Sequence, residues 1–205
     1  MQRALGMVFL MLCASLTGCV GRESQIIDNG DIVAKTSCEG PYFPEYLVGC
    51  MMDEFNLTGD DGVNHTRAGM DSGGRWIAYF SAVWCTHCEP TIDALDTAIP
   101  DEQMLIFNKD SRDGYSNVTE WKNNTEESLN RTINKTFVHA PELAVMMNVS
   151  SIPYVALIEE GMILAVRNGL WNNATEIGEW FIAENPNSGV PSKLDGVEDD
   201  SHHSM

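Results

Sequence analysis

Two cysteines three positions apart, Cys85 and Cys88, carry the clearest chemistry in this chain. They lie in Trp84-Cys85-Thr86-His87-Cys88. At this spacing two sulfurs close a small disulfide, and the pair reads as a redox site. Cys85, ahead of a helical pattern, sits where the positive end of a helix dipole stabilises a thiolate. The thiolate is the attacking form, so Cys85 reads as the nucleophile. Cys88, one turn on, reads as the sulfur that resolves the mixed disulfide. Trp84, Thr86 and His87 read as residues that tune the pair; His87, as a cation or donor, favours the Cys85 thiolate. A zinc half-site is a poorer reading. No second Cys-x-x-Cys follows, and His65, His87, His139, His202 and His203 lack ligand spacing, so no metal is assigned. A plain structural disulfide remains open.

The elements that must position this motif are legible around it. Residues 76–84 (WIAYFSAVW) form a nearly continuous apolar run of strand length, as expected of a central strand covered on both faces. Residues 89–99 place Ile92, Leu95 and Ile99 at helical spacing. Residues 104–107 (MLIF) are a second buried strand. Residues 109–139 are polar and Asn-rich and read as an insertion with one or two helical segments. Pro141 suits a first helical turn, with Leu143, Ala144 and Met147 on one face. Residues 153–158 and 162–166 are strands around Glu159-Glu160-Gly161, a hairpin. Residues 175–183 close the pattern with Ile177, Trp180 and Phe181 on one side. Phe55 and Leu57, followed by the Gly59–Gly62 turn, form a short strand ahead of all this. The expected class is α/β: a mixed central sheet in three layers, flanked by helices, with an N-terminal extension.

The chain from about 53 to 185 resembles the thioredoxin superfamily, and within it the membrane-anchored or secreted thiol–disulfide oxidoreductases. Three features carry the resemblance: the WCTHC motif after an apolar strand, Ser151-Ile152-Pro153-Tyr154, and the Gly161 hairpin. It implies a thioredoxin-like fold and thiol–disulfide exchange with no cofactor beyond the Cys85–Cys88 disulfide. It implies that Pro153 is cis and that the Ile152 backbone pairs with the substrate chain. Three departures stand out. Thioredoxins have Gly-Pro between the cysteines, where this chain has Thr86-His87. They have a buried acid six residues before the first cysteine, where this chain has Tyr79. Tyr154 stands where Thr is common. Glu89 is the nearest acid in sequence and reads as a solvated helix-start residue.

The remaining cysteines divide by compartment. Residues 1–18 carry Arg3, no acid, and an apolar run from Ala4 to Leu12. A membrane span takes about 20 residues, so this run reads as a secretory signal. Leu16-Thr17-Gly18-Cys19 resembles the lipobox of prokaryotic lipoproteins, which implies lipidation of Cys19 after cleavage. A secreted soluble form is the alternative. Residues 19–52 read as a tether in which Cys38 and Cys50 form a disulfide. In the chain-entropy model that loop is worth about 3 kcal/mol. A second redox pair or free thiols remain open for these two. Eight Asn-x-Ser/Thr sequons, at Asn56, Asn64, Asn117, Asn123, Asn130, Asn134, Asn148 and Asn173, agree with export. Residues 186–205 end in acids and read as a disordered tail.

The chain has 205 residues, 43% hydrophobic, with 30 acids against 12 bases and a net charge of -18. Such a surface argues against nucleic acid and anionic lipid headgroups as partners. The expected partners are exported cysteine-containing proteins and a membrane or soluble redox partner, with the membrane reached through the anchor. The oligomeric state is not legible. The expected activity is extracytoplasmic thiol–disulfide exchange, on the outer face of the cytoplasmic membrane. Two other classes stay open. One is a copper or metallochaperone module on the same fold, although such modules usually space their cysteines by three. The other is a non-catalytic interaction domain.

Overall fold

The computed structural model describes Cys38 and residues 47–187. The signal at 1–18, Cys19, most of the tether, His202, His203 and nearly all of the 186–205 tail lie outside the described residues.

The central strand is β3 (Trp76–Ser81), buried at all six positions. It pairs in parallel with β4 (Met104–Asn108), which pairs in parallel with β5 (Thr136–His139). On its other side β3 pairs antiparallel with β6 (Tyr154–Glu159), which pairs antiparallel with β7 (Met162–Asn168). The sheet order is β5-β4-β3-β6-β7. A sheet covered on both faces lets its middle strands be apolar throughout, which is why the Trp76 run does not alternate.

Residues still alternate between two cores, because successive side chains point to opposite faces. Ile77, Tyr79, Ile106, Val155 and Leu157 face one side. They pack against α2 (Glu89–Ala98), α3 (Tyr115–Leu129) and α5 (Ala174–Ile182) through Ile92, Leu95, Val118, Trp121, Ile177, Trp180 and Phe181. Trp76, Ala78, Phe80, Leu105 and Phe107 face the other side. There they meet Phe55, Met70 of α1 (Arg67–Asp71) and Leu143 and Ala144 of α4 (Pro141–Met146). The expected three layers are present.

The 109–139 stretch, expected to hold one or two helical segments, holds one and adds a strand. It supplies the 15-residue helix α3 and the edge strand β5. The strand has four residues, and only Phe137 and Val138 are fully buried. So short a run, flanked by polar residues, has too little apolar periodicity to read as a strand.

The N-terminal extension closes both sheet edges. The strands β1 (Asn56–Thr58) and β2 (Asn64–Thr66) form a hairpin whose turn lies along β5. There the Asp60 N–H donates to the Phe137 carbonyl at 2.9 Å, and the Phe137 N–H donates to Asp60 Oδ1 at 2.7 Å. Gly59 is required at this contact, because a Cβ would run into Thr136 Cγ2. On the opposite edge Gly49 N–H donates to Ile163 and Ile163 N–H to Cys50, both at 2.8 Å. Cys50 is buried and joined to the exposed Cys38 by a disulfide with a Cα–Cα separation of 5.8 Å. Unpaired strand edges invite association with other chains, and these two are occupied within the described residues.

Candidate active site

The site forms at the carboxyl end of β3. After Ser81 the chain turns, and the Cys85 N–H donates to the Ala82 carbonyl at 3.0 Å. Thr86–Cys88 make one 3-10 turn that runs directly into α2, with Cys88 at its N-cap position. Pro90 favours this start, since its missing N–H falls where a helix has no partner for it. Cys85 and Cys88 are joined in a disulfide with a Cα–Cα separation of 5.3 Å. Both are buried, Cys85 at 3% exposure and Cys88 at 0%.

Trp84 and His87 flank the pair and are exposed. His87 Nε2 lies 3.3 Å from Cys85 Sγ. The Trp84 indole N–H donates to Asp110 Oδ2 at 2.7 Å. Asp110 also accepts from Arg112 Nε at 2.9 Å and from the Arg112 backbone N–H at 3.0 Å. The Arg112 guanidinium, with the indole adding to it, holds the Asp110 carboxyl well below the usual carboxylate range. His139, at the end of β5, has Nε2 3.2 Å from the Asp110 carbonyl oxygen. His139 therefore reaches the site at one remove, through the loop that carries Asp110.

The peptide bond between Ile152 and Pro153 is cis. The register places it: Phe80 is opposite Tyr154, so Pro153 comes at the sheet end from which the cysteine turn departs. Pro153 is buried and its carbonyl accepts from the Gly169 N–H at 2.9 Å. Ile152 is half-buried. Among the described residues no backbone hydrogen bond uses the Ile152 N–H or carbonyl.

Tyr79 is buried beneath the motif, and its hydroxyl donates to the Cys88 carbonyl at 3.2 Å. Burial pushes its phenol well above the ordinary value, with Ser81 opposing in part. Glu89 turns to α3 and accepts from the Ser128 hydroxyl at 2.6 Å. The buried acid among the described residues is Asp96, which is held by Arg131 and Lys135.

Ligand atoms of Cys85, His87 and Cys88 lie within 4.8 Å of one another. Two of the three are spent in the disulfide, so only the reduced pair could offer them to a soft metal ion. His65 is engaged elsewhere, with Nε2 2.9 Å from Asp61 Oδ2.

Of the residues singled out in the sequence, Trp84, Cys85, Thr86, His87 and Cys88 come together at one sheet end, with Ile152 and Pro153 on the adjacent strand. Cys38 and Cys50 lie apart, on the β7 edge. Asp110 and Arg112 carry no signal in the sequence, and His139, weighed there as a ligand, reaches the site only through the Asp110 loop. Asp110 is 26 residues from Trp84, and no short-range pattern marks it.

Six of the eight sequon asparagines are exposed; Asn117 and Asn148 are half-buried. Four have backbone roles that favour asparagine. Asn117 Oδ1 accepts from the Gly114 N–H, Asn173 caps α5, and Asn130 and Asn148 adopt φ of 51° and 49°. Local folding thus accounts for asparagine at four of the eight positions.

No family model and no curated protein matches the sequence. Solved structures do. A Bacteroides thetaiotaomicron protein named as a disulfide isomerase has a TM-score of 0.51 and 19% identity, over 65% of this chain and 89% of that one. The thioredoxin domain of a Bacteroides vulgatus thiol–disulfide oxidoreductase has a TM-score of 0.50 and 14% identity, over 65% and 97%. A Chlorobium tepidum protein named as a thiol:disulfide interchange protein has a TM-score of 0.50 and 17% identity, over 62% and 92%. At such identities the likeness is one of fold, and with the strand order above it gives this chain a thioredoxin-like fold, with a Cys-Thr-His-Cys disulfide at the end of the central strand.

Proposed function

We propose that the protein is an extracytoplasmic thiol–disulfide oxidoreductase that exchanges disulfides with exported proteins. The observation that carries this is the Cys85–Cys88 disulfide beside an exposed His87, on the sheet end that also holds the cis Ile152–Pro153 bond. In the reducing direction the Cys85 thiolate attacks one sulfur of a substrate disulfide. A Cys85–substrate bond forms, and the other substrate sulfur leaves as a thiolate that takes a proton from water. The Cys88 thiolate then attacks Cys85 Sγ. The Cys85–Cys88 bond forms, the substrate's second sulfur leaves, and two electrons have passed to the substrate. The reverse sequence oxidises a substrate dithiol.

Each neighbour has a place in this scheme. His87 near Cys85 Sγ favours its thiolate when protonated, which tilts the pair toward oxidation or isomerisation. The unpaired Ile152 backbone suits an extended substrate segment, added by strand pairing. No cofactor beyond the disulfide belongs to the scheme. Cys19 as lipid anchor, and a membrane or soluble partner that resets the disulfide, complete it. Among the described residues no helix is long and apolar enough to cross a membrane.

The test is Cys85→Ser, assayed for insulin reduction and for disulfide formation in a reduced test protein. Loss of both is expected; survival of both unchanged overturns the reading. The cluster of Cys85, His87 and Cys88 favours a second reading, a copper(I) module in the reduced state. Tight copper(I) binding lost in Cys88→Ser, with no redox turnover in the unaltered protein, would establish it instead.

A further inference from the structure

Tyr79 occupies the middle of β3, which is paired on both sides, and is 0% exposed. Its side chain points to the helical face holding α2, and its hydroxyl reaches the backbone of the motif itself, at the Cys88 carbonyl. The thiol exchange described above does not use it. It is no proton acceptor: burial keeps the phenol protonated, and its hydrogen is directed at an oxygen. His87 is the titratable side chain that shares the site with both sulfurs, and the acids on the neighbouring elements are engaged elsewhere. Asp93 and Asp96 of α2 hold Arg131, Glu89 accepts from Ser128, Glu176 of α5 pairs with Arg167, and Asp110 pairs with Arg112.

The Cys88 carbonyl stands at the junction between the 3-10 turn and α2. The disulfide draws residues 85–88 into a closed ring, and in that form the carbonyl lies within reach of the hydroxyl. Reduction breaks the Sγ–Sγ bond, which opens that ring and leaves the turn free to move. Tyr79 cannot follow, because the strand that carries it is fixed on both sides and packed above and below.

We propose that Tyr79 is a positioning residue that favours the disulfide form of the Cys85–Cys88 pair by holding the Cys88 carbonyl. This rests on the exchange reading and deepens it, by naming a residue that sets how oxidising the pair is. Tyr79 acts through Cys88 and touches neither the reacting sulfur of Cys85 nor the substrate. Its hydrogen bond opposes the effect of His87, which favours the reduced thiolate. A hydrogen bond present in one redox form and weakened in the other shifts their equilibrium by between about twofold and tenfold.

The experiment is Tyr79→Phe, with the full domain equilibrated against glutathione buffers and the dithiol and disulfide forms counted by alkylation and mass. A shift of about twofold or more toward the dithiol is expected. A smaller shift, or one toward the disulfide, overturns the proposal, since a merely structural hydroxyl would weaken both forms alike. A second measurement needs no variant. In the unaltered protein the Tyr79 hydroxyl proton, followed by NMR, should exchange with water at least about threefold more slowly in the disulfide form than in the dithiol form. Equal rates overturn the proposal even if Tyr79→Phe does not fold. If the unaltered protein shows no exchange with glutathione at all, the exchange reading itself fails, and this role fails with it.

Discussion

Removing His87 tests the electrostatics of the site. Its Nε2 is 3.3 Å from Cys85 Sγ; His87 is exposed and Cys85 buried, so the dielectric of water gives the lower bound of the attraction. A cation and a thiolate at that separation attract by about 1.3 kcal/mol in water, and by several times more if the site is partly dry. One pKa unit corresponds to about 1.36 kcal/mol, so the lower figure is about a tenfold change in thiolate fraction. The assay is alkylation of Cys85 in the Cys88→Ser background, with and without His87→Ala. His87→Ala should slow alkylation by about tenfold. The same charge favours the dithiol form, so losing it should make the pair more reducing by about 30 mV, the two-electron equivalent of tenfold. A change under about twofold would refute the electrostatic role and leave His87 as a steric neighbour.

Three further outcomes follow from the geometry. Cys50→Ser should lower the stability of the domain by about 2–4 kcal/mol in urea unfolding while sparing disulfide exchange at Cys85, because that staple sits on the β7 edge. Loss of exchange with the fold intact would show that the staple belongs to the site. Asp110 has its folded carboxyl depressed below the unfolded value, so its stabilisation is complete above about pH 5 and is lost as pH falls through the carboxylate range. Asp110→Ala should therefore reduce stability at pH 7, change Trp84 fluorescence, and flatten the loss of stability in acid; an unchanged acid limb contradicts the pairing. Asp60→Ala removes the acceptor for the Phe137 N–H on the β5 edge, at a cost of about 1–3 kcal/mol. Unfolding at an unaltered urea midpoint would show that the hairpin turn does not hold this edge.

The sequence and the structure agree where the signal is local or strongly periodic. The Trp76 run, the Glu160-Gly161 turn and the α5 stripe of Ile177, Trp180 and Phe181 are all legible, and each is in place. Glu160 and Gly161 both have positive φ, as a two-residue hairpin turn requires. The cis bond before Pro153 came from resemblance rather than from spacing, and it is present. What escaped was non-local. β5 is a strand only because β4 offers it an edge, and four residues cannot announce that. Asp110 is part of the site only because the β4–α3 loop folds back onto Trp84. Tyr79 was visible as a departure from the pattern, but its bond to the Cys88 carbonyl needed the geometry of the turn. The sequons agree with export in the sequence, and the structure adds that Asn117, Asn130, Asn148 and Asn173 serve helix ends and left-handed turns.

Trapping the intermediate tests most directly whether Cys85 attacks substrate sulfur and Cys88 resolves the product. Reduced Cys88→Ser protein is mixed with a disulfide-containing substrate, quenched in acid, and mapped by mass spectrometry. One stable mixed disulfide is expected, at Cys85, absent when Cys85 is also replaced. A mixed disulfide formed equally well through Cys38 or Cys50, or none at all, would contradict this assignment.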